Sequence, residues 1–383
     1  MVITRIKIKN WRNFRDADLN MAKTTYLIGP NASGKSNLLD LFRFLRDLCK
    51  PDGGGLQKAV KERGGIRKLR CLHHRKDSEV RIEIHFSESF DSQEPTFIYV
   101  LAFKGKGAER LLITEESVQS GSHQILKRPL SGEKDDPEVL TQTHLEQTIA
   151  NRKFREIVEC LSETTYLHLV PQLLKYGETI GGNRIEDDPF GQGFLERVAR
   201  CQKRTRDARL KRISTALKVA VPRFGELRYM QDELGHPHLE ALYEHHRPNA
   251  GWQREEQFSD GTLRLLALLW SLQDGKGLLL MEEPELSLHE AVVEQIPAMI
   301  DAVRRGQRNA RQIIITTHSK PLLSNPGIDS AGVLVLQPSS EGTEIRGVTD
   351  SERVALDAGL SISDVVLPNT RPEGIDQLAL ELR

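Results

Sequence analysis

The fold of this 383-residue chain is decided by one stretch, Gly29-Pro30-Asn31-Ala32-Ser33-Gly34-Lys35-Ser36. It fits the pattern G-x-x-x-x-G-K-[ST] and lies between residues 25–28, which predict a short buried strand, and residues 37–45, which predict a helix. A strand, a glycine-rich turn and a helix N-terminus together bind phosphate, because backbone N–H groups point inward and the helix dipole favours negative charge. The sequence therefore predicts a site for a nucleoside triphosphate.

The residue types in this phosphate loop (residues 29–36) predict individual roles. Lys35 is placed to reach the outer phosphates, and the Ser36 hydroxyl is placed to bind Mg²⁺. Asn31, Gly34 and Asn37 are expected to contribute to the same nucleotide site. We therefore expect Mg²⁺ to be required together with the nucleotide.

Composition narrows the class of protein. Lysine plus arginine and aspartate plus glutamate both number 54, so the net charge is zero and any site for a polyanion must be a local patch. The four cysteines are scattered without a C-x-x-C pair, which favours neither a zinc site nor a disulfide framework. The start of the chain lacks the apolar core of a signal peptide, and no apolar run approaches the roughly 20 residues that span a bilayer. These features predict a cytoplasmic protein without a membrane segment.

The first third of the chain predicts an antiparallel group of strands around the phosphate loop. Residues 2–9 alternate apolar and polar side chains, and further strand candidates follow at 79–86, 96–103 and 110–114. The polar, turn-rich segment 120–137 is predicted to be a loop.

The rest of the chain predicts helices followed by buried strands, which makes the whole an α/β fold with a split core. Helical spacing appears at 143–170 and 190–220, and a further helix is predicted at 261–272. Buried strands are predicted at 277–281, 312–317 and 332–336. The predicted division is a core half at 1–118, an inserted and mainly helical lobe at 119–250, the second core half at 251–345 and a tail at 346–383.

An apolar strand that ends in two acids supplies the second half of the predicted site. Residues 278–281 are apolar and lead directly into Glu282 and Glu283. Such a strand delivers its carboxylates to the carboxyl edge of a parallel sheet, where the phosphate loop also lies. Glu282 is predicted to hold Mg²⁺, directly or through a water, and Glu283 to polarise the water that attacks the γ-phosphate.

Two further segments lie where a nucleotide site would need them. Residues 258–262 read Phe-Ser-Asp-Gly-Thr and open a helix, with Ser259 or Asp260 as a good N-cap. His318 follows a predicted strand, and its imidazole is placed to reach a γ-phosphate. A capped helix start and a structural histidine are the plain alternatives, and the order of the motifs favours a functional role for both segments.

This order of motifs resembles the ABC-type ATPases, and within them the RecF/SMC-like branch and the bacterial proteins described as AAA-family ATPases. Residues 6–14 are similar to that branch's opening strand and Asn-Phe-Arg element. Residues 282–289, Glu-Glu-Pro-Glu-Leu-Ser-Leu-His, match an element shared with the overcoming-lysogenization-defect nucleases. The resemblance implies a P-loop NTPase fold with ATP as substrate, built as an ABC-type ATPase head with an N-terminal antiparallel β group and an inserted helical lobe.

The resemblance also implies roles for particular residues. Arg12 corresponds to a basic residue that contacts nucleotide, residues 285–289 correspond to the D-loop, and His318 corresponds to the switch histidine, which is catalytic together with Glu283. The signature motif, which binds the γ-phosphate of ATP held by the other protomer, corresponds to Ser259, Asp260 and Gly261. Because one subunit holds only part of such a site, the resemblance implies a homodimer that sandwiches two ATP molecules.

Departures from related families sharpen the expected function. Too few residues follow His318 for the TOPRIM nuclease domain of the overcoming-lysogenization-defect nucleases, and no long heptads of an SMC coiled coil separate the two core halves. The Leu-Ser-Gly-Gly signature of transporters is missing. Gln119 is the best candidate for the Q-loop glutamine of ABC-type ATPases.

We therefore expect an ATPase that regulates a separately encoded effector, a nuclease, in anti-phage defence, by analogy with two-gene systems. The alternative is a RecF-like DNA-repair ATPase that binds DNA directly. The most basic segment, 197–212, contains eight lysines and arginines and one aspartate. It favours either contacts to a phosphate backbone or a solvated helix face.

Overall fold

The computed structural model describes residues 1–50, 53–73, 78–106, 110–180, 190–244, 251–306, 310–371 and 375–377. The strands are β1 (Val2–Trp11), β2 (Phe14–Asn20), β3 (Thr24–Ile28), β4 (Val80–Ser87), β5 (Phe97–Lys106), β6 (Arg110–Ser120), β7 (His123–Arg128), β8 (Thr165–Leu167), β9 (Phe224–Gln231), β10 (Pro237–Tyr243), β11 (Gln253–Arg254), β12 (Leu279–Glu282), β13 (Ile313–Thr317), β14 (Val333–Ser339) and β15 (Gly342–Arg346). The helices are α1 (Lys35–Leu48), α2 (Leu56–Glu62), α3 (Ile66–Leu69), α4 (Ser131–Asp135), α5 (Arg155–Ser162), α6 (Pro171–Ile180), α7 (Phe194–Arg200), α8 (Lys203–Ala220), α9 (Asp260–Gln273), α10 (Glu290–Val293), α11 (Ile296–Arg305), α12 (Lys320–Leu323), α13 (Asp350–Asp357) and α14 (Ile362–Val365).

A six-stranded sheet in the order β15-β14-β3-β13-β12-β8 forms the centre of the molecule. All neighbouring strands in it run parallel except β15, which pairs antiparallel with β14 at one edge. All five residues of β13 are buried, because both faces of this sheet are covered. The strands predicted from apolar runs are confirmed here as β12, β13 and β14.

A second six-stranded sheet, in the order β2-β1-β4-β5-β6-β7, is antiparallel throughout. The predicted antiparallel group is therefore confirmed, and β2 and β7 extend it. The alternation in β1 has a packing cause, since Ile6 and Ile8 are buried in a core that they share with α1. The same core includes Leu280 and Ile314 of the parallel sheet, so α1 packs between the two sheets.

The other face of the parallel sheet forms a separate core. Ile313 and Ile315 of β13 belong to it, whereas Ile314 belongs to the first core, because successive side chains of a strand point to opposite faces. Helices α8, α9 and α11 and the hairpin of β9 and β10 cover this face. The parallel sheet is thus the middle layer, and its strand ends are the fixed points on which a site can be built.

Two parts of the segment 119–250 differ from the prediction. Residues 120–137, predicted as a loop, contain β7, which pairs with β6 in a hairpin. Residues 143–170, predicted as helical, contain α5 but also β8, which pairs with β12 at an edge of the parallel sheet. The helical prediction is wrong at residues 165–167, because pairing with a neighbouring strand outweighs local spacing.

The same segment contains a small sheet that the helical prediction omits. Strands β9, β10 and β11 pair antiparallel in the order β11-β10-β9. The inserted segment therefore mixes helices and strands, and the domain boundaries at 118, 250 and 345 stay predictions. Among the helices that the structure describes, none has the length and apolar character to cross a bilayer.

Candidate functional site

The predicted phosphate loop, the two acids Glu282 and Glu283, and His318 converge at the carboxyl ends of three adjacent parallel strands. The phosphate loop follows β3, Glu282 ends β12, and His318 follows β13. Strands β3, β13 and β12 are neighbours in the sheet, so their ends meet at one edge. This edge is where open α/β sheets bind ligands.

The phosphate loop is held in shape by a side chain from the turn between β1 and β2. Asn13 Nδ2 donates to the Ser33 carbonyl oxygen at 3.0 Å, and the Thr343 hydroxyl donates to the same oxygen at 2.9 Å. Asn37 Nδ2 donates to Asn13 Oδ1 at 2.8 Å. Gly34 has φ +99° and a Cβ there would overlap the Asn13 amide, so only glycine fits. The Asn37 side chain thus supports the loop here, and its predicted contact with nucleotide stays a prediction.

Lys35 lies folded over the loop that precedes it. Its Nζ donates to the carbonyl oxygens of Gly29 at 2.8 Å and Pro30 at 3.0 Å, and the residue is buried. Burial lowers the pKa of the Lys35 ammonium, while the charges of Glu283 and Glu282 oppose that shift. Charged phosphate oxygens are stronger hydrogen-bond acceptors than these neutral carbonyl oxygens. An outer phosphate bound here would therefore replace the carbonyls as the partner of the Lys35 ammonium.

Ser36 and Glu282 meet as the sequence predicts for a magnesium site. The Ser36 hydroxyl donates to Glu282 Oε1, and the Tyr166 hydroxyl donates to Glu282 Oε2. Burial, and then the Glu282 charge, raise the pKa of Tyr166, so its hydroxyl stays a donor. A serine hydroxyl and a single carboxylate fit Mg²⁺, which keeps several waters and takes its remaining oxygens from phosphates.

Glu283 and His318 form the second pair at this edge. His318 Nδ1 lies 3.1 Å from Glu283 Oε1, and about half of the His318 side chain is exposed, at 52%. Glu283 has φ +44°, a left-handed conformation that costs about 1 kcal/mol or more for a residue with a Cβ. Its backbone N–H donates to the Thr316 carbonyl oxygen at 3.0 Å, which holds the bend in place. The bend separates Glu283 from Glu282, so the two adjacent acids take different partners.

Glu285 extends this arrangement into the interior. Its carboxylate accepts a hydrogen bond from the Thr317 hydroxyl at 2.5 Å, and burial raises its pKa. Its other carboxylate oxygen has no hydrogen-bond partner among the described residues. Glu285 therefore ties the start of the D-loop (residues 285–289) to the end of β13, next to His318.

The signature turn (residues 259–262) begins helix α9 in the predicted way. Ser259 is the N-cap, and its Oγ accepts a hydrogen bond from the Thr262 N–H at 3.1 Å. A Cβ at Gly261 would lie 2.6 Å from the Ser287 carbonyl oxygen, so the absence of a side chain lets the signature turn pack directly on the D-loop. The structural half of the prediction for Ser259 is confirmed, and its role toward ATP stays a prediction.

Asp260 is bound by two residues of helix α6 that the sequence did not single out. Lys175 Nζ donates to Asp260 Oδ1 and Gln172 Nε2 donates to Oδ2, both at 2.7 Å. The hydrogen bond from Lys175 is the main cause that lowers the pKa of Asp260. The residue is therefore a carboxylate at neutral pH.

Three other predicted residues are placed less directly. Arg12, at φ +53°, donates from Nη2 to Asp40 Oδ2 of α1 at 3.0 Å, so its contact with nucleotide stays a prediction. Asn31 is exposed on the phosphate loop. Gln119 lies in β6 and donates to the Gly121 carbonyl oxygen at 2.8 Å in the β6–β7 hairpin, so it belongs to the antiparallel sheet and not to the edge that holds the site.

The sequence offered a weak signal for one of the missed contacts. Tyr166 lies in a short run of threonine, aromatic and aliphatic residues at 164–170, which is a strand pattern inside a segment read as helical. No local signal exists for Lys175, whose partner Asp260 is 85 positions away in the sequence.

Comparisons with known proteins agree with this fold. Residues 25–325 match the family described as "AAA domain, putative AbiEii toxin, Type IV TA system". A stretch of 92 residues, 22% of this chain, is 33% identical to the DNA replication and repair protein RecF of Roseiflexus castenholzii. The match spans only 23% of that relative's length.

Solved structures of SMC heads share the architecture. An SMC head bound to the C-winged helix domain of ScpA superposes with a TM-score of 0.56 at 14% identity, covering 92% of this chain and 100% of that one. An SMC head with an extended coiled coil, bound to the C-terminal domain of ScpA derived from Pyrococcus furiosus, gives 0.51 at 13% identity over 93% and 98%. At this identity the likeness concerns the fold alone. Because the family match spans most of the chain, the chain belongs to the family described as "AAA domain, putative AbiEii toxin, Type IV TA system".

Proposed function

We propose that this chain hydrolyses ATP in a homodimer that closes around two ATP molecules and that it thereby regulates a separate effector protein. One observation carries the proposal. At a single edge of the parallel sheet, Ser36 contacts Glu282 while Glu283 contacts His318, so a metal-binding pair and a proton-accepting pair lie side by side.

The residues of this edge divide the proposed work. Lys35 would exchange the loop carbonyls for phosphate oxygens. Ser36 and Glu282 would hold Mg²⁺, which would neutralise charge on the phosphates. Glu283 accepts a proton from the attacking water, and His318 orients the Glu283 carboxylate. In the unliganded arrangement these side chains satisfy one another, so nucleotide binding must break internal contacts before it makes new ones.

The position of the signature turn supports the proposed dimer. It packs on the D-loop and on α6 of its own chain, while Ser259 is exposed to solvent. A helix N-terminus with an exposed serine suits the γ-phosphate of a nucleotide held by a second subunit. Each subunit would therefore complete the site of the other.

A protein partner is favoured by two findings on similar proteins. The family description names a toxin–antitoxin system, and two similar SMC heads were solved bound to domains of ScpA. We propose that the partner here is a separately encoded nuclease and that ATP-driven closure controls it in anti-phage defence. Purifying the chain with the product of its genomic neighbour, with and without ATP, tests for such a complex.

A direct DNA-binding role, as in RecF, is the alternative. Helix α8 exposes Lys203, Arg204, Lys211 and Arg212, whereas Arg206 stacks at 3.7 Å over Tyr229 and is turned toward the protein. This alternative holds if the protein alone binds duplex DNA and the logarithm of the binding constant falls with the logarithm of salt concentration with a slope of about −4. Glutamine at the four exposed positions should then remove that salt dependence.

Glu283→Gln is the central test of the proposed function. It keeps the shape of the side chain but removes the proton acceptor, so hydrolysis is expected to fall by about 100-fold or more while ATP binding persists. Because the closed state then lasts, a dimer should accumulate with ATP and not with ADP, measured by size-exclusion chromatography with light scattering. Glu290→Gln, an exposed position beyond the D-loop, is the matched control. A hydrolysis rate close to wild type in Glu283→Gln, or a monomer at every ATP concentration, contradicts the proposal.

A further inference from the structure

The acidic residue of the signature turn raises a chemical problem for the proposed dimer. Asp260 is the first residue of α9, directly after the Ser259 cap. The helix N-terminus favours an anionic ligand, and the proposed function brings the γ-phosphate of the second subunit's ATP to this turn. A carboxylate at the same place repels that phosphate, so the turn needs a compensating positive charge.

Helix α6 supplies that charge. Lys175 and Gln172 occupy both carboxylate oxygens of Asp260, each at 2.7 Å. The side chain of Lys175 is 12% exposed and that of Asp260 is 36% exposed, so the ion pair is partly buried at the protein surface. Salt screens such a pair less than an open surface pair.

One further cation lies near the same carboxylate in the sequence of the helix. Arg264 lies one helical turn beyond Asp260 on α9, where burial lowers the pKa of its guanidinium and the Asp260 charge opposes that shift. The three side chains together carry one net positive charge. Without Lys175 they carry none, and only the helix N-terminus would attract the phosphate.

We propose that Lys175 is the positioning residue that makes the acidic signature turn able to receive the triphosphate end of a nucleotide held by a second copy of this chain. It neutralises Asp260 and leaves the positive charge of Arg264 and the helix N-terminus to act on the phosphate. This inference rests on the proposed function, since Lys175 acts only when two subunits close around ATP.

A purely structural role for the ion pair makes a different prediction. If Lys175 only fastens α6 to α9, then removing either partner breaks the fastening, and Lys175→Gln and Asp260→Asn weaken closure alike. If charge at the turn is what counts, the two substitutions have opposite effects. Lys175→Gln takes the net charge of the three side chains to zero, whereas Asp260→Asn takes it to two positive charges.

The test measures ATP-driven dimerisation in the Glu283→Gln background, where closure is not reversed by hydrolysis. Lys175→Gln is expected to raise the ATP concentration for half-maximal dimer by roughly tenfold, and Asp260→Asn to lower it by about threefold. The combination of both restores one positive charge and should return to within about threefold of the background protein. Lys218→Gln, an exposed lysine on α8 outside the candidate DNA-binding surface, is the matched control for loss of a charge.

Two companion measurements separate the possible outcomes. ATP affinity of the monomer, measured at a protein concentration too low for dimerisation, and the thermal midpoint should both be unchanged in Lys175→Gln. The inference is overturned if Lys175→Gln dimerises like the background protein, if Asp260→Asn weakens closure as Lys175→Gln does, or if the combination stays defective. If the Glu283→Gln protein itself never dimerises, the proposed function fails first, and the role of Lys175 fails with it.

Discussion

The nucleotide edge, which is the edge of the parallel sheet at the carboxyl ends of β3, β12 and β13, differs from the signature turn in how its side chains are held. At the nucleotide edge, the functional side chains bind one another or the adjacent backbone, as with Ser36 and Glu282, Glu283 and His318, and Lys35 on the loop carbonyls. These groups are pre-positioned by three neighbouring strands. In the proposed function, nucleotide and Mg²⁺ would replace these internal contacts at an edge that folding has already arranged.

The signature turn contacts α6 and the D-loop on one side and is exposed to solvent on the other. Lys175 binds Asp260 from α6, and the Ser287 carbonyl approaches Gly261 from the D-loop, while Ser259 faces solvent. Among the described residues, none covers the exposed side of the turn at Ser259. The contrast teaches that folding alone positions one half of the proposed site, whereas in the proposed dimer the other half would be completed only by association.

The largest effect is expected when the positive charge of Lys35 is removed from the nucleotide edge. Lys35→Ala is expected to weaken ATP binding by at least about 100-fold, because a charge-assisted hydrogen bond to phosphate contributes about 3 kcal/mol. Titration of the monomer with ATP measures it. Lys104→Ala, an exposed lysine of β5, should bind as wild type does. Equal binding by Lys35→Ala would mean that the loop does not hold the phosphates.

Ser259→Arg tests whether the signature turn acts only in the dimer. The arginine can extend into solvent from this exposed position, so monomer binding of ATP should be unchanged while ATP-driven dimerisation is lost, measured by light scattering. Loss of the N-cap costs about 1 kcal/mol of stability, which a melting curve records separately. Ser259→Thr keeps a capping hydroxyl and should retain the dimer. Weaker binding of ATP by the monomer would place this turn at its own subunit's nucleotide instead.

Tyr166→Phe sharpens the comparison within the nucleotide edge. It removes the hydroxyl that donates to Glu282, so the Mg²⁺ concentration for half-maximal hydrolysis should rise by roughly tenfold. The readout is the ATPase rate against Mg²⁺ at saturating ATP. Tyr176→Phe, an exposed tyrosine of α6, serves as the control and should leave the curve unmoved. An unchanged curve for Tyr166→Phe removes Tyr166 from the magnesium site.

The smallest expected effect concerns the shape of the phosphate loop. Ala32 has φ +63°, a conformation that glycine adopts without strain, so Ala32→Gly should stabilise the protein by about 0.5 kcal/mol in urea unfolding. The same substitution at Ala208, exposed within α8, should instead destabilise the protein by about 1 kcal/mol. A loss of stability at Ala32 would mean that the loop does not hold this conformation in solution.

Structural elements that depend on residues close together in the sequence were predictable. The phosphate loop, the strand that delivers Glu282 and the cap at Ser259 each depend on a few neighbouring residue types, and the structure has each element where the pattern predicts it. Such local chemistry is visible in a sequence because backbone geometry and capping act over one or two turns of chain.

Contacts between distant residues that belong to no motif were not predictable. Tyr166 meets Glu282 across 116 positions, and β8 is a strand only because β12 lies beside it. The hydrogen bonds of Asn13 to the phosphate loop and of Lys175 to Asp260 likewise depend on which elements become neighbours. No spacing rule links these pairs, since tertiary packing decides them.

The amino-acid sequence by itself determined that this chain has an α/β fold with a phosphate loop, a pair of acids at a strand end and a capped helix that begins Ser-Asp-Gly. Only the tertiary structure decided which residues support those groups and that Lys175 neutralises Asp260. The physical reason is that helix caps and turns depend on local geometry, whereas a side-chain partner 85 positions away is chosen by the packing of whole strands and helices.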